Sequence, residues 1–207
     1  MQTSCKRIGV LGGTFNPIHN GHLEIAGAVR KAYRLDKVLF IPSGMPPHKT
    51  RTEVIGAEHR LAMVRRAISG EPYFEVSEME INRSGYSYTV DTPGQLRQIY
   101  GPDCTIYFII GADIIPELIT WREASRVFSL CEFIAVLRPG HTRQEFLTEI
   151  EKLRTDYKAS INTADAQMPD ISSTQIRELI KENKPITGLV PKCVEKYVIE
   201  NRLYKDN

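Results

Sequence analysis

The 207-residue sequence lacks any apolar stretch approaching the ~20 residues that are needed to span a bilayer. Its N-terminus is basic, but the apolar run that follows is shorter than the core of a secretion signal. Charge of one sign is not in excess either, because the formal net charge is only +2. Such a balance indicates neither a nucleic acid nor an acidic membrane as partner. We therefore expect a cytoplasmic protein without a membrane or nucleic-acid partner.

Cysteine is scarce and scattered. Cys5, Cys104, Cys131 and Cys193 form no CxxC pair, so the sequence favours neither a structural metal site nor a disulfide framework. We predict that these thiols act as small apolar side chains in or near the core.

Two common nucleotide-binding motifs are missing as well. The glycines of "GVLGGTFNPIHNG" do not have GxGxxG spacing, and the second apolar run ends in Ile41–Pro42 without an acid to hold a ribose. No GK[ST] follows the glycines, which excludes a P-loop. The sequence thus excludes the dinucleotide fingerprint and the P-loop, but it does not exclude other phosphate sites.

The sequence does contain short, continuous apolar runs, which are typical of strands covered on both faces. They lie at 7–13, 37–42, 105–111 and 132–137. Apolar residues at helical spacing follow the first two runs, at Leu23–Tyr33 and Leu61–Ile68. Another helix is predicted to start near Asp91–Pro93, with Thr92 as its cap and Pro93 in its first turn.

Strands that alternate with helices predict an α/β fold with a doubly wound parallel sheet. We expect a single domain, with residues 1–170 as the sheet core and 171–207 as C-terminal helices. Such sheets bind ligands outside the carboxyl ends of their strands, at the switch point of the strand order. The loop after the first strand is therefore the first candidate for a site.

That loop contains the segment "GVLGGTFNPIHNGH" at 9–22. Paired glycines let main-chain N–H groups approach a ligand, and the start of the next helix favours an anion. His19 and His22 can face the same side and donate hydrogen bonds to phosphoryl oxygens. A metal site is the alternative for this pair, although the sequence suggests no third ligand.

The string "GGTFNPIHNGH" resembles the (T/H)xGH signature of nucleotidyltransferases, in the form found in nicotinate mononucleotide adenylyltransferases. Four later segments agree in the expected order: "PSGMPPHK" at 42–49, "SGYSYTVDT" at 84–92, "IIGADIIPELITW" at 109–121 and "ISSTQIR" at 171–177. The resemblance covers nearly the whole chain. It implies a Rossmann-like fold of the HIGH superfamily, and AMP transfer from ATP to nicotinate mononucleotide that yields deamido-NAD and pyrophosphate. It also implies Mg²⁺ as the counterion of ATP, with no dedicated protein metal site.

The resemblance assigns the phosphates of ATP to the first motif. Gly13, Thr14 and Phe15 would line the phosphate region, while His19 and His22 would contact ATP, with His22 at the α-phosphate. The second half of this phosphate clamp would come from Ile171, Ser172, Ser173, Thr174 and Arg177. An arginine binds a triphosphate as a permanently charged fork. The alternative for the Ser-Ser-Thr run is a helix cap.

The remaining motifs are assigned to adenosine and to the acceptor. By resemblance, Gly111 and Asp113 would contact adenosine, and Trp121 would pack against the pyridine ring. Helix capping is the alternative for Asp113, and core packing is the alternative for Trp121.

On the acceptor side, Thr89 would offer its backbone to the nicotinate carboxylate, and His48 and Lys49 lie on a loop expected to close over the acceptor. Ser43–Gly44 and Pro93–Gly94 depart from the family pattern, which leaves the acceptor contacts around them open.

Two other functions stay open at this point. A related enzyme could prefer nicotinamide mononucleotide, because backbone donors that the sequence hides can set the choice between carboxylate and amide. A non-catalytic nucleotide-binding regulator on the same fold is the alternative from a different class. CTP-dependent relatives share the first motif but not the later ones. The resemblance also allows a homo-oligomer.

Overall fold

The computed structural model describes residues 6–45, 54–137, 142–165 and 169–205. Its six strands form one sheet in the order β3-β2-β1-β4-β5-β6, and all pairs are parallel. The strands are β1 (Arg7–Gly13), β2 (Lys37–Pro42), β3 (Phe74–Val76), β4 (Thr105–Gly111), β5 (Glu132–Val136) and β6 (Ile161–Ala164). The predicted doubly wound parallel sheet is confirmed, with its switch point between β1 and β4.

Helices follow most of the strands. They are α1 (Asn20–Tyr33), α2 (Ala57–Ala67), α3 (Asp91–Tyr100), a 3₁₀ helix (Ala112–Thr120), α4 (Ala124–Leu130), α5 (Arg143–Tyr157), α6 (Ser173–Lys181) and α7 (Lys192–Glu200). The four predicted strands are all present. Strands β3 and β6, the 3₁₀ helix and helices α4 and α5 were not predicted. The two strands have only three and four residues, which carry too little pattern. No helix in the described ranges is long and apolar enough to cross a membrane.

Each apolar run divides its side chains between two cores, one on each face of the sheet. Ile8 and Val10 of β1 pack with α3, α4 and α5. Leu11 packs with α1, α2, α6 and α7 on the opposite face. Each fully buried Ile or Val contributes roughly 1.5–3 kcal/mol. The continuous apolar pattern therefore follows from a sheet that is covered on both faces.

The C-terminal helices are fastened to the loop between β1 and α1. The Ser173 hydroxyl donates to the Pro17 carbonyl at 2.8 Å. The Asn20 backbone N–H donates to the Leu189 carbonyl at 2.9 Å, and its side-chain amide donates to the Gly188 carbonyl at 2.7 Å. These bonds hold the end of the chain against the turn that contains the histidine motif.

Two local predictions need correction. Helix α3 starts at Asp91 with Val90 before it, and the buried Thr92 donates its hydroxyl to Glu80 at 2.7 Å. Thr92 is therefore not the cap, although Pro93 does lie in the first turn. The apolar prediction for cysteine is correct for the buried Cys104 and Cys131 and wrong for the exposed Cys193. Burial raises the pKa of both buried thiols, that of Cys131 to about 12. Cys5 lies outside the described residues.

Candidate active site

A cavity of about 340 Å³ opens at the carboxyl ends of β1 and β4. It lies at the switch point of the strand order, as parallel sheets of this kind predict. Seven of the predicted site residues line it: Gly13, Thr14, His22, Thr89, Gly111, Asp113 and Trp121. The sheet therefore brings together residues from three separate motifs.

The end of β1 keeps this cavity open. Gly12 lines it, and a Cβ atom added there would meet nothing within 4 Å. A Cβ atom on Gly13 would come within 3.3 Å of the Phe15 ring. That ring is 2% exposed and packs near Phe40 at 6.0 Å between centroids. Phe15 can therefore serve the phosphate region only through its main chain.

The two histidines form one unit at the start of α1. Their rings stack with centroids 3.7 Å apart, but His22 lines the cavity whereas His19 is 3% exposed and does not. The backbone N–H of His19 donates to Nδ1 of His22 at 3.2 Å, and the His22 N–H donates to the His19 carbonyl at 3.0 Å. Because Nδ1 accepts a hydrogen bond, neutral His22 carries its proton on Nε2. The turn thus fixes the His22 ring so that its Nε2–H is available as a donor, and this ring lines the cavity.

Arg177 lies against the same turn but not among the residues that line the cavity. One guanidinium nitrogen donates to the Asn16 carbonyl at 2.9 Å, and another to the Thr174 hydroxyl at 3.3 Å. Asn16 lies between Gly13 and His22 in the chain. The glycine, the histidine and the arginine therefore converge on one loop, rather than pointing into separate regions.

The segment before Arg177 mainly supports the fold in this structure. Ser172 caps α6 by accepting from the Gln175 N–H at 3.1 Å, as the capping alternative predicted. Ser173 binds the Pro17 carbonyl, and Ile171 packs against the apolar core. None of these side chains lines the cavity.

The opposite wall comes from the end of β4. Gly111, not Asp113, precedes the 3₁₀ helix as its capping position, so Asp113 lies inside the first turn and lines the cavity. Trp121 follows the same helix. Its ring lies 6.3 Å from that of the buried Phe133, and its other contacts include the cavity. Trp121 thus packs partly against the core, as its alternative role predicted, and also lines the cavity.

The third wall of the cavity includes residues that were not predicted as site residues. Ser43, Glu80 and Ser87 line the cavity beside Thr89. The Ser43 N–H donates to the Gly13 carbonyl at 2.9 Å, which ties β2 to the glycine turn. Ser43 and Ser87 lie inside segments that carry the family resemblance, which gave neither residue a role, whereas nothing in the local sequence distinguishes Glu80 from an ordinary loop residue. The predicted residues His48 and Lys49 lie outside the described residues.

Glu80 is the one acid of this wall, and it is half-buried. It accepts the Thr92 hydroxyl, while Arg83 bonds to Gln95 nearby at 2.6 Å. Burial raises the pKa of the Glu80 carboxyl, although the Thr92 hydrogen bond and the Arg83 charge oppose that shift. The folded state therefore favours the protonated carboxyl more than the unfolded chain does.

Glu80→Gln tests that electrostatic cost. The protonated Glu80 carboxyl contributes fully to the free energy of unfolding below the unfolded pKa of ~4.3. This contribution is lost as pH rises through the higher pKa of the folded state. Glutamine keeps the acceptor for Thr92 without the charge. We expect the Tm of Glu80→Gln, relative to the wild type, to increase from pH 4 to pH 7 in thermal melts. The control is Glu24→Gln, at an exposed position on α1; a relative Tm that falls with pH would contradict the assignment.

The described ranges contain no group of three or more His, Cys, Asp or Glu side chains that could hold a metal ion. The side chains that line the cavity instead include an imidazole and several hydroxyls, which suit phosphate oxygens. The histidine pair therefore lacks the ligand set of a protein zinc site within this part of the chain.

Sequence comparison finds relatives of this chain over nearly its full length. The family model described as Cytidylyltransferase-like matches residues 10–179. A protein of Thermoanaerobacter sp. (strain X514), named "Probable nicotinate-nucleotide adenylyltransferase", is 44% identical over 96% of this chain and 94% of its own length. A protein of the same name from Desulfitobacterium hafniense (strain DSM 10664 / DCB-2) is 46% identical over 97% of this chain and 96% of its own.

The fold also matches a solved structure, that of Plasmodium falciparum nicotinic acid mononucleotide adenylyltransferase complexed with NaAD. The TM-score is 0.78 at 19% identity, over 96% of this chain and 97% of the other. At that identity the likeness shows the fold alone. The full-length relatives and the family match show that this chain belongs to the cytidylyltransferase-like family and, within it, to the nicotinate-nucleotide adenylyltransferases.

Proposed function

We propose that the phosphate of nicotinate mononucleotide attacks the α-phosphorus of ATP in line, and that pyrophosphate leaves without a covalent intermediate. The product, deamido-NAD, belongs to NAD biosynthesis, the pathway of the related enzymes. One observation carries this mechanism: the glycine turn, the His22 ring and the Trp121 ring all line one cavity at the switch point. Hydrogen-bond donors for phosphate oxygens and an aromatic ring for the pyridine group thus line a single cavity.

The attacking group is already an anion, so the reaction needs alignment and charge stabilisation more than a base. We assign the Nε2–H of His22 to the α-phosphate oxygens, where negative charge develops during transfer. His19 supports that ring by stacking on it. Gly13, Thr14 and the main chain of Phe15 would bind the phosphates at the carboxyl end of β1.

The second half of the clamp would form on the C-terminal side of the same loop. Arg177 is anchored to the Asn16 carbonyl, and its remaining N–H groups can reach for the triphosphate. Ser172, Ser173 and Thr174 would add hydroxyls from the start of α6, although two of these side chains also stabilise the fold. The attachment of this segment to the turn after β1 supports the assignment, since the side chains of the segment do not line the cavity.

Magnesium enters this proposal with ATP as its counterion. Its ligands would be phosphate oxygens and water, which is how Mg²⁺ usually binds nucleotides. The two acids that line the cavity suit other roles. Asp113 would accept from the ribose hydroxyls of ATP, and Glu80 already accepts from Thr92.

The test of the function is pyrophosphate release from ATP with each pyridine mononucleotide in turn. We expect kcat/KM for the nicotinate form to exceed that for the nicotinamide form by at least about tenfold, because buried polar groups discriminate strongly between such acceptors. The reverse ranking would assign the chain to the nicotinamide-preferring enzymes. Binding of ATP without any pyrophosphate release would favour a non-catalytic regulator.

Acceptor binding has its own probe, because Trp121 is the only tryptophan of the chain. We expect nicotinate mononucleotide to quench the intrinsic fluorescence as its pyridine ring packs against Trp121. Trp121→Phe keeps an aromatic platform, and should retain activity while removing the signal. Quenching by ATP but not by the mononucleotide would place the acceptor elsewhere. The cytoplasmic location and a homo-oligomeric state stay predictions.

A further inference from the structure

A buried arginine lies behind the turn after β1 (residues 13–15, the phosphate turn), outside the sequence motifs. Arg60, on α2, is 1% exposed. Its guanidinium donates to three main-chain carbonyls: Thr14 at 2.9 Å, Gly44 at 3.1 Å and Ile55 at 3.2 Å. A buried cation costs free energy unless its hydrogen bonds are satisfied. Here its three types of nitrogen each have a carbonyl partner.

The three carbonyls belong to three different segments. Thr14 lies in the turn after β1, Gly44 lies in the loop after β2, and Ile55 lies just before α2. Both Thr14 and the residue before Gly44, Ser43, line the cavity. Arg60 therefore joins the phosphate turn to the third wall of the cavity, which we call the acceptor wall (Ser43, Glu80, Ser87 and Thr89), although Arg60 itself does not line the cavity.

The bond to Thr14 also orients the next N–H group. The Thr14–Phe15 peptide is trans, and a trans peptide points its C=O and N–H in opposite directions. Because the Thr14 carbonyl points at Arg60, the Phe15 N–H points away from Arg60. Phe15 has a φ of 50°, a left-handed conformation that is uncommon for a residue with a side chain. An anchor on this peptide stabilises that conformation.

Contacts with other residues also fix the position of Gly44. Its N–H donates to the Ser87 hydroxyl at 3.1 Å, while its carbonyl accepts from Arg60. A Cβ atom on Gly44 would lie 2.2 Å from the Glu80 carbonyl oxygen, so no side chain fits there. The acceptor wall is thus packed against Arg60 with little freedom to shift.

We propose that Arg60 is a positioning residue for adenylyl transfer, which turns the Phe15 N–H toward the phosphates and sets the acceptor wall at a fixed distance from them. This inference rests on the proposed function. The planar fork of arginine is essential to it, because one ammonium group cannot span three carbonyls on three segments. The guanidinium acts through the main chain and touches neither substrate.

Arg60→Lys tests the proposal, because it keeps the charge and removes the fork. We expect kcat to fall about 10- to 100-fold in the folded variant, since a misplacement of about 1 Å can cost that much. The KM values for ATP and nicotinate mononucleotide should change by no more than about threefold, because the binding groups themselves remain. Circular dichroism and the Tm of each variant establish that it is folded under the assay conditions.

The chain offers a matched control in Arg97. This half-buried arginine on α3 also donates to three main-chain carbonyls, those of Leu130, Pro102 and Cys104. Arg97→Lys should lower the Tm and leave kcat near the wild-type value. A loss of kcat of the same size in both variants would reduce Arg60 to a structural residue, as would a wild-type kcat in folded Arg60→Lys.

A second measurement does not depend on turnover. Inorganic phosphate should shift the ¹⁵N–¹H signal of Phe15 in the wild type and in Arg97→Lys, but not in Arg60→Lys. An equal phosphate shift in Arg60→Lys, or no shift of Phe15 in the wild type, would overturn the proposal. An inactive wild type that still shows the predicted shifts would instead contradict the proposed function and leave the orientation of Phe15 supported.

Discussion

Replacing His22 by alanine is expected to lower kcat for adenylyl transfer by ~10²–10³-fold, the usual cost of removing one preorganised donor to developing charge. The reason is geometric. Nδ1 of His22 accepts from the His19 N–H, so that Nε2–H is the donor, and the ring lines the cavity. The lost packing against His19 and Phe15 should cost only about 1 kcal/mol of folding free energy.

Two further substitutions separate the donor from the packing. Glutamine can place an amide N–H close to the position of Nε2, whereas asparagine is too short to reach it. Steady-state kinetics should therefore rank kcat as wild type, His22→Gln, His22→Asn and His22→Ala in falling order. His59→Ala is the matched control, because His59 bonds to the Tyr197 hydroxyl at 2.9 Å outside the cavity. A near-wild-type kcat in His22→Ala would remove His22 from its assigned role.

Gly12→Val should abolish most of the activity without unfolding the protein. Gly12 lines the cavity, and its Cβ position is open space, so a valine side chain would occupy the volume assigned to phosphates. Valine suits a strand, and the φ of Gly12 is not in the left-handed region. We expect kcat/KM for ATP to fall at least ~10²-fold, a transition-state loss of about 2.7 kcal/mol, with a Tm close to that of the wild type.

The control for Gly12→Val is Gly27→Val on α1. Gly27 also has nothing within 4 Å of its Cβ position, but it does not line the cavity. Valine there should leave both kcat/KM and ATP affinity unchanged. Isothermal titration with ATP and thermal melts on both variants make the comparison. An active Gly12→Val enzyme would show that the phosphates do not pass over this end of β1.

The first motif was predictable because its residues act over short chain distances. Glycines at the end of a strand and histidines three residues apart near a helix start restrict each other through local geometry. Even so, the pattern could not show that His19 is buried while His22 lines the cavity. That difference arises because His19 takes the capping position of α1, where its ring is covered, while His22 lies in the first turn.

The support around the site was not predictable in the same way. Arg60 and Glu80 lie in segments whose local composition is ordinary, and the contacts that support the site join distant parts of the chain. Thr14 and Arg60 are separated by 46 residues, and Asn16 and Arg177 by 161. Such pairs form only when the sheet has placed their segments side by side.

By itself, the sequence determined the alternating strands and helices, the parallel sheet and the glycine–histidine turn at its switch point. These features follow from periodicity and from backbone rules that act within a few residues. Only the tertiary structure decided which side chains line the cavity, which carbonyls Arg60 holds and how the C-terminal helices fasten the turn. Those outcomes depend on distances between segments that the chain alone does not specify, and burial sets their energies.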